Sequence, residues 1–179
     1  MNIPNLLTIG RMVLVPFFMV ALLMNTQGTR LAATVIFIIA SMTDWLDGYL
    51  ARKNNQITNF GKIMDPLADK VLTAAAMICL VQLGDVPAWV VVLILFREYA
   101  ITGLRSVAAA EGVVIAASIW GKVKTTVQMI ALILLMLNPQ LEVILGFNLG
   151  IIVLYVALIL TLYSGLDYLL KLKNQISWS

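Results

Sequence analysis

Long apolar runs, broken only by short polar connections, dominate this sequence of 179 residues. A helix needs roughly 20 apolar residues to cross the hydrocarbon core of a bilayer, so the length allows about six such helices. Hydrophobic residues make up 61% of the chain and charged residues 12%, about half the charged share of a typical soluble domain. The sequence therefore predicts an all-α, polytopic membrane protein and argues against a disordered chain or a water-soluble monomer.

Prolines, glycines and charged residues divide the apolar runs into six predicted spans. We expect one integral membrane domain over residues 1–179, with spans at 6–24, 31–52, 62–83, 87–110, 118–137 and 144–170. Most basic residues fall in connections on the side of the two termini, namely Arg52, Lys53, Lys62, Arg105, Lys122, Lys124, Lys171 and Lys173. Because cytoplasmic connections carry an excess of Lys and Arg, both termini are predicted to be cytoplasmic, with the chain in the cell membrane.

The chain has no histidine and a single cysteine, Cys79. Histidine is the commonest general base and transition-metal ligand, so acid–base or metal chemistry would have to come from carboxylates. One cysteine cannot form an internal disulfide, and its apolar neighbours predict core packing.

Carboxylates occur inside the second and third spans, where a charge costs several kcal/mol on insertion scales. At about 100° per residue, Asp44 and Asp47 share one face of the second helix. Asp65 and Asp69 share one face of the third. The short connection makes these helices antiparallel neighbours, with Asp44 and Asp69 both roughly 10 to 12 Å from the cytoplasmic helix ends. This pattern predicts a polar cavity that opens to the cytoplasm.

Four ionised carboxylates would not share such a cavity unaided, because two charges 4 Å apart repel by about 4 kcal/mol at an effective dielectric near 20. Either some are protonated or a cation neutralises them. A site with oxygen ligands alone suits Mg²⁺ or Mn²⁺, and Mg²⁺ commonly also binds substrate phosphates. The small residues Gly48, Ala51 and Gly61 leave room for a bulky group, and Arg52 offers donors to phosphate oxygens.

The complete pattern, Asp44-x2-Asp47-Gly48-x2-Ala51-Arg52-x8-Gly61-x3-Asp65-x3-Asp69, resembles the signature of the CDP-alcohol phosphatidyltransferase family of integral membrane enzymes. Two further segments resemble the branch of that family that makes phosphatidylglycerophosphate. One runs from Pro4 to Arg11, and the other comprises Phe-Arg-Glu-Tyr at 96–99 followed by Thr-Gly-Leu-Arg at 102–105.

The resemblance implies a six-helix bundle, usually a homodimer, that transfers the phosphatidyl group of CDP-diacylglycerol to an alcohol and releases CMP. For this branch the implied acceptor is sn-glycerol 3-phosphate, and the process is anionic phospholipid biosynthesis. The implied cofactor is Mg²⁺ or Mn²⁺.

The resemblance also implies roles for individual residues. Asp44, Asp47 and Asp65 would be the main metal ligands. Asp69 would lie near the metal and act as the general base that activates the acceptor hydroxyl. The residues implied to border the CDP-diacylglycerol site are Asn5, Thr8, Gly48, Ala51, Arg52 and Gly61.

Glycerol 3-phosphate is an anion and needs fixed cations near the aspartates. Arg97 and Arg105 fall within roughly 80° on the fourth helix, and Lys122 and Lys124 open the fifth. We predict that Arg105, Lys122 and Lys124 bind the acceptor phosphate. Arg97 is expected instead to pair with a motif carboxylate or with Glu98.

Other interpretations remain open at this point. Within the family, the acceptor can be serine, inositol phosphate or phosphatidylglycerol. Outside it, intramembrane aspartates are also typical of cation-coupled or proton-coupled transporters. Buried ion pairs also occur in membrane subunits with a purely structural role. Lys70 is interpreted as an interfacial lysine, and Asp167 is predicted to pair with Lys171 one helical turn later.

Overall fold

The computed structural model describes the backbone of residues 3–53, 59–110, 112 and 119–173. Within these ranges, side chains are described except at residues 3–5, 44–53, 59–63, 65, 66, 69 and 173. The secondary-structure elements in the described part are all α-helices, which confirms the all-α part of the predicted fold class. They are α1 Ile3–Leu23, α2 Gln27–Lys53, α3 Asn59–Gln82, α4 Ala88–Ala110, α5 Ile119–Met136, α6 Asn138–Leu145 and α7 Leu149–Lys173.

Five of the long helices begin and end within a few residues of the predicted spans, and the connection after α5 differs. That connection contains the eight-residue helix α6, in which Pro139 stands in the first turn, where a missing N–H is tolerated. Gly146 ends α6 in the left-handed region at φ 73°, and its N–H donates to the Glu142 carbonyl at 2.9 Å. As a result α7 begins at Leu149 rather than at residue 144.

Three of the described helices are apolar and long enough to cross a bilayer on their own. These segments are Leu6–Leu23 in α1, Ile119–Met136 in α5 and Leu149–Leu172 in α7. The helices α2, α3 and α4 have 27, 24 and 23 residues but carry charged residues along their length. The count of six spans therefore stays a prediction.

The helices pack around an apolar core, with α1 against α2 and α3, and α7 against α5 and α4. Phe18 and Phe37 are fully buried, with ring centroids 5.8 Å apart, and Cys79 is buried as predicted. At the α5–α7 contact, a Cβ on Gly150 would lie 2.7 Å from the Leu135 backbone nitrogen, so only glycine allows this approach. Large apolar side chains are also exposed around the bundle, as expected for a surface that faces lipid.

Arg30 joins three segments at the end of the bundle that is predicted to face outward. Its side chain is buried and donates to Asn25 Oδ1 at 2.9 Å and to Asp85 Oδ2 at 2.5 Å. It also donates to the carbonyl oxygens of Leu135 and Met136 at 2.9 and 3.0 Å. These carbonyls belong to the last turn of α5, where backbone acceptors lack helical partners and the helix dipole is negative. Arg30 therefore connects the α1–α2 and α3–α4 turns to the end of α5.

Candidate active site

Basic side chains of α3, α4 and α5 line a cavity of about 540 Å³. We call it the basic cavity, and its five cationic lining residues are Lys70, Arg97, Arg105, Lys122 and Lys124. Glu98 is the one acidic residue among the described lining residues, and Thr102 and Thr125 add hydroxyl groups. Among the described lining residues, positive charge is therefore in excess.

The structure brings together the three residues predicted to bind the acceptor phosphate, because Arg105, Lys122 and Lys124 all line the basic cavity. Their environments differ. Arg105 and Lys122 are exposed, whereas Lys124 is only 4% exposed and forms an ion pair with Glu98. Arg105 and Lys122 are thus the more accessible of the three to a ligand entering from solvent.

Glu98 connects α4 to α5 at the wall of the basic cavity. Its Oε1 forms an ion pair with Lys124 Nζ and lies 3.8 Å from Arg97 Nη1. The second contact confirms that Arg97 pairs with Glu98. Arg97 also donates from Nη2 to Ser164 Oγ on α7 at 2.8 Å. Because α4, α5 and α7 each contribute a group, these contacts fix the relative positions of three helices.

Lys70 directly follows Asp69, and the sequence predicts an interfacial lysine at this position. In the structure it lines the basic cavity and its Nζ donates to Thr102 Oγ1 on α4. Thr102 Oγ1 in turn donates to the Glu98 carbonyl oxygen at 2.8 Å. Lys70 thereby links the helix that carries Asp65 and Asp69 to the wall of the basic cavity.

Lys70 and Arg97 line the basic cavity but are not among the residues that the sequence predicts to bind the acceptor phosphate. For Arg97 a signal was present, since Arg97, Ile101 and Arg105 recur every four residues and so share one helix face. For Lys70 the signal depends on the partner helix, because the distance between Lys70 and Thr102 is set by how α3 packs on α4.

The four motif aspartates lie on helices that contact each other. Asp44 and Asp47 belong to α2 and Asp65 and Asp69 to α3, and these helices pack together. Their side chains lie outside the described residues, so the predicted ligand set and the role of Asp69 stay predictions. The same holds for the side chains of Asn5, Ala51 and Arg52 and for the surroundings of Gly48 and Gly61. Among the side chains that are described, no three metal-ligating residues cluster.

An apolar groove of about 470 Å³ separates parts of α1 and α2. Its lining includes Leu6, Leu14, Ala40 and Thr43, and it contains little polar surface apart from Arg11. Thr43 directly precedes Asp44, so the apolar groove reaches the start of the aspartate motif. Thr8, predicted to border the donor site, is fully buried on α1 and lines neither cavity.

Comparison with known proteins places these features in one family. The family model described as CDP-alcohol phosphatidyltransferase matches residues 1–163. A Bacillus subtilis protein named CDP-diacylglycerol–glycerol-3-phosphate 3-phosphatidyltransferase is 45% identical over 95% of this chain and 94% of its own length. Proteins of the same name from Haemophilus influenzae and Escherichia coli are 42% and 43% identical. These two alignments cover 98% and 94% of this chain, and 95% and 93% of the respective relatives.

Replacing Glu98 by Gln should destabilise the protein because it leaves Lys124 buried without its carboxylate. Breaking a buried ion pair in this way costs about 3–5 kcal/mol, and we expect the lower end since Glu98 is 21% exposed. Thermal unfolding of the detergent-solubilised protein would measure the loss.

The matched control is Asp167→Asn, which breaks the exposed 2.7 Å pair with Lys171 and should cost less than about 1 kcal/mol. Adding Lys124→Met to Glu98→Gln should recover part of the loss, since the Lys124 charge that Glu98 balances is then removed. Equal effects of Glu98→Gln and Asp167→Asn would contradict a structural role for the Glu98–Lys124 pair.

Proposed function

The chain belongs to the CDP-alcohol phosphatidyltransferase family, and we propose that it transfers the phosphatidyl group of CDP-diacylglycerol to sn-glycerol 3-phosphate, giving phosphatidylglycerophosphate and CMP. Nearly full-length relatives at 42–45% identity, whose name states this donor and this acceptor, support the assignment. The structural observation that carries it is the basic cavity, because an acceptor with a phosphate group needs fixed cations beside the aspartate helices.

The reaction is a displacement at phosphorus. A hydroxyl oxygen of the acceptor forms a bond to the phosphorus that bears diacylglycerol, the bond from that phosphorus to the CMP oxygen breaks, and the hydroxyl proton passes to a base. Both substrates are anions, so bringing them together requires neutralisation of charge and a fixed orientation of the nucleophile. The exposed cations Arg105 and Lys122 can neutralise the charge of the acceptor phosphate. Lys124, which is paired with Glu98, adds a third cation.

We propose that Asp69 accepts the proton from the acceptor hydroxyl. The chain has no histidine, so a carboxylate is the expected general base. Asp69 also directly precedes Lys70, whose side chain lines the basic cavity. Because consecutive helix residues point about 100° apart, Lys70 shows that this turn of α3 borders the basic cavity and leaves the direction of the Asp69 side chain to the proposal.

Asp44, Asp47, Asp65 and Asp69 fit a divalent metal by their donor chemistry, since each offers hard carboxylate oxygens and the two helices that carry them pack together. We propose that they hold Mg²⁺ or Mn²⁺, which when bound neutralises charge on the diphosphate of the donor. Gly48, Ala51, Arg52 and Gly61, with Asn5 and Thr8 from α1, would border the cytidine diphosphate group. The apolar groove that ends at Thr43 offers a surface for an acyl chain beside this group.

We also propose six spans, cytoplasmic termini and a homodimer. The arrangement of charge supports this topology. Arg105 lies near the end of α4 and Lys122 near the start of α5, on the same side of the bundle as the aspartate ends of α2 and α3. Arg30 lies near the start of α2 and is satisfied by its own contacts at the opposite end. The active site would then face the cytoplasm.

Purified protein given CDP-diacylglycerol, Mg²⁺ and glycerol 3-phosphate should release CMP and form phosphatidylglycerophosphate. Serine, inositol phosphate and phosphatidylglycerol, tested at the same concentration, should give no release above the rate without acceptor. The basic cavity gives the reason for serine, which has no phosphate, and the acceptor in the relatives' name gives it for inositol phosphate and phosphatidylglycerol. Faster release with any other acceptor would overturn the assignment of glycerol 3-phosphate, and substrate uptake into proteoliposomes without CMP release would indicate a transporter.

Asp69→Asn should reduce turnover by about 10²–10⁴-fold, the usual contribution of a general base, because an amide cannot accept the proton. The rate of CMP release at saturating substrates measures this effect. Binding of CDP-diacylglycerol should be largely preserved, which separates loss of the base from loss of the site. Turnover equal to that of the unmodified protein would exclude Asp69 as the base.

Removal of divalent metal with excess chelator should abolish CMP release, and addition of Mg²⁺ or Mn²⁺ should restore it. The physical reason is that the carboxylates of α2 and α3 repel the diphosphate unless a cation lies between them. Release at the full rate in excess chelator would rule out metal dependence.

A further inference from the structure

The second half of α7 contacts both arginines of α4, although it lies outside the three motif segments. Ser164 Oγ accepts the hydrogen bond from Arg97 Nη2 at 2.8 Å and itself donates to the Thr161 carbonyl at 3.0 Å. One turn later, the Tyr168 ring lies under the Arg105 guanidinium, with 5.5 Å from Cζ to the ring centroid. Ser164 and Tyr168 are four residues apart on α7, whereas the arginines that they contact are eight residues apart on α4.

Gly165 provides the space in which Arg97 lies. A Cβ at this position would lie 3.1 Å from Arg97 Cγ and 3.3 Å from Nε, closer than ordinary van der Waals contact. The Arg97 side chain therefore passes directly over the α7 backbone. This close approach, together with the hydrogen bond to Ser164, fixes the direction in which Arg97 leaves α4.

Tyr168 is a rigid platform for Arg105. It is 5% exposed and packs in a small cluster with Ile101, Ala108 and Leu172. A guanidinium that stacks on an aromatic ring uses its flat face and keeps its N–H edges for bidentate contacts with an anion. The Tyr168 contact can therefore orient Arg105 without consuming the groups that would bind phosphate.

Arg97 is the second arginine of α4 in the basic cavity. Its Nε is buried and has no hydrogen-bond partner among the described residues, and Arg97 lines the basic cavity together with Arg105. Lys124 and Arg97 both contact Glu98, which belongs to α4. The two arginines thus carry the cationic groups of the basic cavity whose positions are set from α7.

We propose that Ser164, Gly165 and Tyr168 form a positioning surface on α7 that holds Arg97 and Arg105 in the basic cavity as the pair that recognises the acceptor phosphate. The proposal rests on the proposed function. None of the three α7 residues is a catalytic residue, because each acts on the substrate through an arginine.

The test measures the KM for glycerol 3-phosphate and the KM for CDP-diacylglycerol separately by CMP release. Tyr168→Leu removes the platform and should raise the KM for glycerol 3-phosphate about three- to tenfold, the range expected for loss of a partly buried cation–π contact. The KM for CDP-diacylglycerol should stay within about twofold. Tyr168→Phe keeps the ring and should behave as the unmodified protein, since the buried Tyr168 hydroxyl makes no hydrogen bond to a described residue.

Tyr163→Leu is the matched control, because Tyr163 lies on the same helix, is exposed, and packs edge-on against Trp120 rather than against an arginine. Its KM values should not change. Gly165→Ala is a second, independent variant whose added methyl group displaces Arg97, and it too should raise the KM for glycerol 3-phosphate alone.

Equal changes in both KM values, or an unchanged KM for glycerol 3-phosphate in Tyr168→Leu and Gly165→Ala, would overturn the positioning surface. Failure of the proposed function looks different, because the unmodified protein would then release no CMP with glycerol 3-phosphate. In that case binding of inorganic phosphate decides the proposal. Tyr168→Leu should weaken phosphate binding about three- to tenfold, and unchanged binding would overturn it.

Discussion

Charged side chains that lie among apolar helices must meet a partner, and this requirement shapes both ends of the bundle. Lys124 is buried, and Glu98 of the neighbouring helix balances its positive charge. Arg30 is buried and survives because a carboxylate, an amide and two helix-terminal carbonyls surround it. In each case the polar partner belongs to another element, so satisfying the charge also fixes how the helices pack.

The two ends differ in how completely their charges are neutralised. Arg30 donates hydrogen bonds to Asn25, Asp85 and the end of α5, and these bonds connect the three segments. The basic cavity holds five cations against one described carboxylate, and two of the cations are exposed. Excess charge that is open to solvent is suited to binding an anion, whereas neutralised charge is suited to holding helices together. The same residue types therefore join segments at one end of the bundle and line an open cavity at the other.

Different helices carry the acidic and the basic residues of the candidate active site. The aspartates of the family signature belong to α2 and α3, while the cations belong mainly to α4 and α5. Lys70 and Glu98 join these groups, since Lys70 extends from α3 to α4 and Glu98 from α4 to α5. The last helix, α7, adds no charge to the cavity but contacts both arginines of α4. This arrangement separates the residues that carry charge from those that orient it.

The sequence by itself determined the helical fold, the family and the identity of the motif residues, because apolar period and motif spacing are local properties of the chain. The spacing of Asp167 and Lys171 was enough to predict their 2.7 Å pair, since a single helix sets that distance. Tertiary structure alone decided that Lys70 contacts Thr102, that Arg97 lies over Gly165 and that Tyr168 supports Arg105. These contacts join residues 32 to 68 positions apart, and they depend on how helices pack rather than on any repeat within one helix.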